Sequence, residues 1–302
     1  LLALVAASAV LDTLFAPAGR SAVPALVDGD DLLRANAWMG TSLNLQVALG
    51  TLLGGTLVAA IGVRGALAFD AVSFAASALL LVGLPPLRST STGTPAGFLA
   101  VGREGLSFAW RTRVVRRFLI VLFLGVAFAA VDNVALVFLV RETLGGGPVA
   151  FGLVSAAFGV GMISASLGLS IRRTSVAVTT LLIIAWLASG FGTVATGLAP
   201  VIVVAALAQA VGGFGNGLEN IAADTLIQQA VPREMLGRVF GLVTTAAFGG
   251  STLAYAAGGP LLDLSSPRAV FLIAGAGILA VTAYLWFALR DAASQDHPTQ
   301  PG

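Results

Sequence analysis

Long apolar runs separated by short polar stretches dominate the pattern of residues along the chain. A bilayer core of about 30 Å needs roughly 20 apolar residues per helix. Nine runs have that length, at about 1–19, 36–60, 66–84, 118–140, 149–170, 176–198, 201–229, 239–260 and 269–289. The runs are continuous and do not alternate apolar and polar residues, so they predict helices and not the strands of a barrel. The pattern therefore predicts an all-α polytopic membrane protein with nine transmembrane helices.

Composition supports a membrane protein and excludes several kinds of chemistry. Of the 302 residues, 57% are hydrophobic and 10% charged, where soluble domains carry about 25% charged residues. The chain has no cysteine, its one histidine is His297, and its sixteen basic residues are all arginine. Thiolate chemistry, histidine catalysis, a P-loop lysine and a Schiff base are thereby excluded. We expect a protein that is not an enzyme and that holds no cofactor or metal.

The arginines are distributed unevenly between the two ends of the predicted spans. When segment 85–117 is placed in the cytoplasm, thirteen of the sixteen arginines lie at cytoplasmic ends. The outer loops then hold only Arg64, Arg141 and Arg268. Because basic residues concentrate on the cytoplasmic side of membrane proteins, the chain is predicted to lie in the inner (cytoplasmic) membrane with its C-terminus inside. The same distribution explains the basic balance without a nucleic-acid partner.

Residues 24–81 recur without a gap at 228–285, at an offset of 204 residues. The matched pairs include Arg34/Arg238, Gly54/Gly258, Gly55/Gly259 and Arg64/Arg268. Two parallel copies of one helical bundle are the plan of a major class of secondary transporter. Six predicted spans lie in 118–290 but only three in 1–84, so the repeat implies that about three helices are missing upstream.

This organisation predicts half of one six-helix bundle followed by a complete second bundle. Residues 1–84 would form the last three helices of the first bundle, and 118–290 the second. Segment 85–117 would be a cytoplasmic linker with an amphipathic part, and 291–302 a disordered cytoplasmic tail. We expect an N-terminally truncated fragment of a twelve-helix protein, and a genuine nine-span protein is the alternative.

Several polar side chains fall inside the predicted spans, where an ionisable group costs roughly 2.5–3.5 kcal/mol. Four residues of one span, Gln209, Asn216, Asn220 and Asp224, fall within an arc of about 80° on a helix. At the offset of 204 residues, Asp12 corresponds to Asn216. Such a face lines either a hydrophilic cavity or an interhelical contact. The candidates for binding substrate or protons are Asp12, Asp132, Asn133, Gln209, Asn216, Glu219, Asn220 and Asp224.

Several stretches of the chain resemble the major facilitator superfamily, in the branch of the enterobactin exporter and the macrolide efflux pumps. They are FAPAGRSAVPALVDGDDLLRANAWMGTS from Phe15, DNVALVFLVRETLG at 132–145, FGLVSAAFGVGMISASLG at 151–168 and LIQQAVPREMLGRVFG at 226–241. The resemblance implies family helices four to twelve, with the spans that hold Asp12, Asp132 and Glu219 lining the central cavity. Residues 50–55 (GTLLGG) resemble the antiporter motif G-P-x-x-G-G, with Thr51 in place of proline. Helix packing or gating is expected for Gly50, Gly54, Gly55, Gly258 and Gly259.

The resemblance and the buried acids together predict a secondary active transporter. We expect a monomer in the lipid bilayer that exports a small amphipathic molecule (a drug, macrolide or siderophore) by alternating access. Without an ATP-binding motif, the energy would come from an ion gradient, and protons carried by a buried carboxylate are the expected coupling ion. Only the resemblance favours export. An importer of the same fold and a non-transporting membrane binding or sensor protein remain as alternatives.

Overall fold

The computed structural model describes residues 19–27, 31–82, 98–171 and 175–295. Asp12, residues 85–97 of the predicted linker 85–117, and residues 296–302 of the predicted tail lie outside the described residues. Within them the chain is helical nearly throughout, as expected from its long apolar runs. A first helical stretch, α1, covers 19–26.

Ten further helical elements follow between Leu32 and Gln295. They are α2 (Leu32–Val82), α3 (Phe98–Arg111), α4 (Arg113–Ala129), α5 (Asp132–Phe138), a π-helical turn (Leu139–Thr143), α6 (Pro148–Ile171), α7 (Val178–Leu198), α8 (Ile202–Ala230), α9 (Arg233–Leu264) and α10 (Pro267–Gln295).

The prediction of nine transmembrane helices, half of one bundle plus a complete second, is wrong. The described residues contain seven helical stretches that are long and apolar enough to cross a bilayer. These are Ala60–Leu80, Arg113–Thr143, Pro148–Ile171, Val178–Leu198, Ile202–Ala230, Arg233–Leu264 and Pro267–Phe287. The predicted spans 36–60 and 66–84 lie in the single element α2. The backbone bends at Gly62 between them, and only the second part, Ala60–Leu80, is among the seven stretches that are long and apolar enough to cross a bilayer.

Gly62 alone interrupts α2, with φ 71° and ψ 170°, a conformation that glycine adopts without a steric penalty. At the repeat offset of 204 residues, Gly62 corresponds to Ser266. Ser266 lies in the short connection between the end of α9 at Leu264 and the start of α10 at Pro267. The two copies of the repeat therefore change direction at equivalent positions, once by a glycine kink and once by a proline-initiated helix.

The span Arg113–Thr143 is not one regular helix. The α-helix α4 ends at Ala129, and α5 begins at Asp132 after a short turn. After α5, the π-helical turn Leu139–Thr143 widens the backbone before Gly145, which has φ 65°. Broken helices at membrane depth are tolerated where they face protein or a cavity, and π-helical turns are frequent at functional sites.

Helix α8 lies between α6 and α7 and touches both without intervening side chains. A Cβ placed on Gly213 would overlap the Phe158 carbonyl of α6, and one on Gly215 would lie 2.5 Å from the Ala185 carbonyl of α7. Such close approach needs small residues, as is usual for helix pairs in membranes. The glycines therefore hold the polar residues of α8 against its two neighbours.

Candidate substrate cavity

A cavity of about 270 Å³ opens beside the break between α4 and α5. Six helical segments supply its wall: Val126, Ala129 and Ala130 before or at the break, Asp132, Asn133 and Leu136 of α5, Ser155 and Phe158 of α6, Ser189 and Thr193 of α7, Gln209, Gly212 and Asn216 of α8, and Ile278 of α10. The cavity thus combines an acid, amides and hydroxyls with an aromatic ring and aliphatic side chains. Such a mixed wall suits a ligand with both an apolar body and polar groups.

The strongest polar contact in this wall joins Asp132 to Gln209. The Gln209 Nε2 donates to both carboxylate oxygens of Asp132, at 3.1 Å to Oδ1 and 2.8 Å to Oδ2. Gln209 is buried, with 2% of its surface exposed. Asp132 is partly buried and lies in the first turn of α5, where the backbone N–H groups favour a negative charge. The carboxylate is therefore held in place while remaining part of the cavity wall.

The remaining polar groups of the wall bond chiefly within their own segments. The Thr193 hydroxyl donates to the Ser189 carbonyl at 2.9 Å. Asn220 Nδ2 donates to the Asn216 carbonyl at 2.9 Å and to its side-chain oxygen at 3.2 Å. The Asn133 amide donates to the Ala130 carbonyl at 3.4 Å, beside the helix break.

The structure brings together four of the eight candidate residues predicted from the sequence. Asp132, Asn133, Gln209 and Asn216 line the cavity. Asn220 lies one turn further along α8 and is exposed. Glu219 and Asp224 also belong to α8 but do not line the cavity. Asp12 lies outside the described residues.

Glu219 and Asp224 do not line the cavity, although Glu219 lies only three residues beyond Asn216 of its wall. Glu219 is buried, with 8% of its surface exposed, and lies ten residues, or about 15 Å, beyond Gln209. Asp224 lies a further five residues along and forms an ion pair with Arg20, at 3.5 Å between Oδ1 and NH1. Neither acid therefore lies beside the Asp132–Gln209 pair.

A second polar cluster surrounds that ion pair and connects α1 and α2 to α8. Gln228 Nε2 donates to the Arg20 carbonyl at 2.8 Å. Asn36 Nδ2 donates to Thr225 Oγ1 at 2.9 Å and to Gln228 Oε1 at 2.5 Å. We call Arg20, Asn36, Asp224, Thr225 and Gln228 the α2–α8 cluster. Its bonds join residues that lie about 190–210 positions apart in the chain.

Sequence reasoning missed the cavity residues that carry hydroxyl groups or an aromatic ring. Ser155, Phe158, Ser189 and Thr193 line the cavity but were not predicted. Ser189 and Thr193 lie four residues apart, on one face of α7, and that spacing was the available signal. Phe158 carries no such signal, since phenylalanine is common on any face of a membrane helix.

The predicted packing glycines have different surroundings. A Cβ on Gly258 would lie 3.2 Å from Val134 Cγ2, so α9 passes close to α5 there. A Cβ on Gly259 would meet no atom within 4 Å. Gly50, Gly54 and Gly55 belong to helix α2. The structure describes only their backbone, so the packing predicted for them stays a prediction.

The chain matches the family of transmembrane secretion effectors over residues 1–301 and belongs to that family of the major facilitator superfamily. The resemblance found in the sequence is thereby confirmed. The protein is a multi-pass membrane protein of this superfamily. The relatives described next are themselves transporters.

Two curated relatives cover most of the chain. The multidrug efflux pump Tap of Mycobacterium tuberculosis (strain ATCC 25618 / H37Rv) is 26% identical over 274 residues, which is 87% of this chain and 65% of Tap. The transporter YfiS of Bacillus subtilis (strain 168) is 25% identical over 290 residues, covering 92% of this chain and 69% of that protein. The chain thus spans 65% of the length of Tap.

Two solved structures share the fold. The human organic anion transporter MFSD10 (TETRAN) superposes with a TM-score of 0.71 at 20% identity, covering 88% of this chain and 66% of that one. The proton:xylose symporter XylE superposes with a TM-score of 0.65 at 14% identity, covering 91% and 67%. At these identities the comparison establishes the fold and nothing about substrate.

Proposed function

We propose that this transporter exports a small amphipathic molecule across the cell membrane and that protons moving inward drive the export. The substrate would bind in the candidate cavity. The observation that carries the proposal is the Asp132 carboxylate, held by Gln209 in the wall of a cavity that is otherwise lined by neutral residues. The similarity to Tap, a multidrug efflux pump, supports export as the direction.

Asp132 can couple substrate to protons because it is the ionisable group of the wall. A cationic or hydrogen-bonding substrate would compete with a proton for the same two oxygens, which Gln209 now occupies. When the cavity opens to the opposite side and fills with water, the carboxylate would exchange its occupant. Each cycle would then move a proton and a substrate in opposite directions.

Alternating access requires contacts that break when the two parts of the protein rock against each other. The α2–α8 cluster supplies such contacts, because it ties α1 and α2 to α8 through side chains distant in sequence. It lies about 22 Å from Gln209 along α8, as the fifteen residues to Asp224 imply. We infer that this cluster closes one end of the pathway and separates when the cavity faces that end.

The orientation in the membrane follows the arginines. We propose that the C-terminus, the α3 segment and the α2–α8 cluster lie on the cytoplasmic side, where thirteen of the sixteen arginines fall. The cluster would then be an inner gate, and its separation would admit substrate from the cytoplasm.

An efflux assay in cells that express the protein tests the proposal. Cells are loaded with a fluorescent amphipathic cation, and its extrusion is followed with and without a protonophore. Asp132→Asn keeps the size of the side chain and removes its charge, so we expect extrusion to fall about tenfold, as a loss of about 1.4 kcal/mol would produce. The control is Glu142→Gln, which changes an exposed acid in the same span.

The possible results separate the alternatives. Protonophore-insensitive extrusion that is unchanged in Asp132→Asn and Glu219→Gln would contradict proton coupling. Uptake that depends on Asp132 would identify an importer, and ligand binding without flux would identify a binding or sensor protein. Equal losses in Asp132→Asn and Glu142→Gln would show that the effect is not specific to the cavity.

A further inference from the structure

A second concave surface lies on the outside of the bundle, between α3, α4 and α9. Its volume is about 460 Å³, and its walls include Leu106, Trp110, Leu119, Phe123, Ala246 and Gly249. We call this surface the α3 groove. From Arg116 to Phe123 the wall follows seven residues of α4, or about 10 Å. The groove therefore runs along the helices and is long enough for part of an acyl chain.

One end of the α3 groove is positively charged. Arg116 lies in its wall, donates from NH1 to the Trp110 carbonyl at 2.9 Å, and has its guanidinium 5.9 Å from the centre of the Trp110 ring. A guanidinium has five N–H donors, so this contact leaves donors for a phosphate. Further arginines stand close by in sequence at Arg111, Arg113 and Arg117.

Contacts between α3 and α9 hold the groove open. Arg238 NH1 lies 2.7 Å from Glu104 Oε1, and a Cβ on Gly105 would lie 3.0 Å from the Cβ of Arg238. Ala109 is 1% exposed, whereas Trp110 on the same helix is 62% exposed. One face of α3 therefore packs against α9, and the face that carries Trp110 is exposed at the surface of the protein.

We propose that the α3 groove binds an anionic phospholipid of the surrounding bilayer, with an acyl chain along the groove and the phosphate at Arg116. Basic pockets between membrane helices on the cytoplasmic side bind anionic head groups, and a tryptophan suits the boundary between head groups and chains. The polarity of the groove matches this ligand, since its charge is confined to Arg116 and the other lining residues are apolar apart from Thr245. This site is separate from the candidate cavity and does not depend on what the protein transports.

A neighbouring groove provides an internal comparison. It lies between α4, α9 and α10, has a volume of about 270 Å³, and includes Ala257 and Leu261 in its wall. None of the residues that line it is charged. Acyl chains could lie there equally well, but nothing in that wall distinguishes one phospholipid head group from another. Selectivity for an anionic lipid is therefore expected at the α3 groove and not at this one.

Native mass spectrometry of the purified protein in mild detergent tests the proposal with two probes, dioleoyl phosphatidylglycerol and dioleoyl phosphatidylcholine. Arg116→Gln should weaken binding of phosphatidylglycerol about fivefold, as expected for one basic residue at the head group. Ala246→Phe should weaken it at least as much by filling the groove. The matched controls are Arg141→Gln, an exposed arginine at the other end of the same span, and Ala257→Phe in the uncharged groove. Both controls should leave the preference for phosphatidylglycerol over phosphatidylcholine within about twofold of that of the unmodified protein, and Arg116→Lys should retain most of the preference.

Three results would overturn the proposal. The first is equal binding of the two lipids, and the second is binding of phosphatidylglycerol that Arg116→Gln leaves unchanged. The third is a dimer that Ala246→Phe converts to a monomer, which would identify a second copy of the chain as the occupant. If Ala246→Phe fails to fold, Arg116→Gln and Arg116→Lys still decide the matter, because that side chain lies at the edge of the groove.

Discussion

Replacement of Gly213 by alanine should destabilise the protein, although alanine is normally the better residue in a helix. A Cβ at this position would overlap the carbonyl group of Phe158 on α6. The obstacle is backbone and cannot turn to another rotamer, so α6 and α8 would have to separate. The adjacent residue offers the control, since a Cβ on Gly212 would meet only Phe158 Cε2 at 3.9 Å.

The expected magnitudes have opposite signs at the two positions. Gly→Ala in a helix interior stabilises by about 1 kcal/mol, and this gain should appear at Gly212 nearly in full. At Gly213 the same gain is opposed by overpacking, which costs about 1–3 kcal/mol and occasionally more. The backbone contact places Gly213 at the upper end of that range. The two variants should therefore differ by about 2–3 kcal/mol in free energy of unfolding.

Thermal unfolding of both variants in the same detergent measures this difference, and the comparison removes effects of the detergent itself. Gly212→Ala should melt at or slightly above the unmodified protein, and Gly213→Ala clearly below it. If Gly213→Ala melts as high as Gly212→Ala, the close approach of α6 and α8 is incorrect. The position of Gln209 beside Asp132 would then lose its structural basis.

Three further predictions concern polar contacts. Gln209→Leu should lower the free energy of unfolding by about 1–3 kcal/mol, because the Asp132 carboxylate is left without its partner; unchanged melting would argue against the pair. Asn36→Leu should cost a similar amount, since it breaks the buried bonds between α2 and α8, whereas Asn220→Ala should cost under about 0.5 kcal/mol because its bonds lie on an exposed face of its own helix. Equal losses in those two variants would refute this distinction. Glu104→Gln should cost under about 1 kcal/mol, since Glu104 is 56% exposed and exposed ion pairs contribute little; a larger loss that persists in high salt would show that its ion pair is effectively shielded from solvent.

The sequence predicted the helical membrane class and the superfamily. Apolar runs of about 20 residues are set by the thickness of the bilayer, so they can be recognised without knowledge of the fold. The number of spans could not be counted in this way. Whether 36–60 and 66–84 are separate helices depends on the backbone at Gly62, and an apolar run carries no information about that single torsion.

Half of the candidate site could also be predicted. Gln209 and Asn216 are seven residues apart, so the helical period places both on one face of α8 regardless of its neighbours. Asp132 was identified because an acid in an apolar run needs a partner. The serine, threonine and phenylalanine residues of the cavity carry no comparable cost and were therefore missed.

The partners of these side chains were decided only by the tertiary structure. Gln209 donates to an acid 77 residues away, and Asn36 to residues 189 and 192 positions away. The period of a helix determines where a side chain points relative to its own axis. Which helix stands opposite depends on the close contacts of Gly213 and Gly215 with α6 and α7, and on the break before Asp132. Those features arise from packing between distant segments, which the local pattern of residues does not encode.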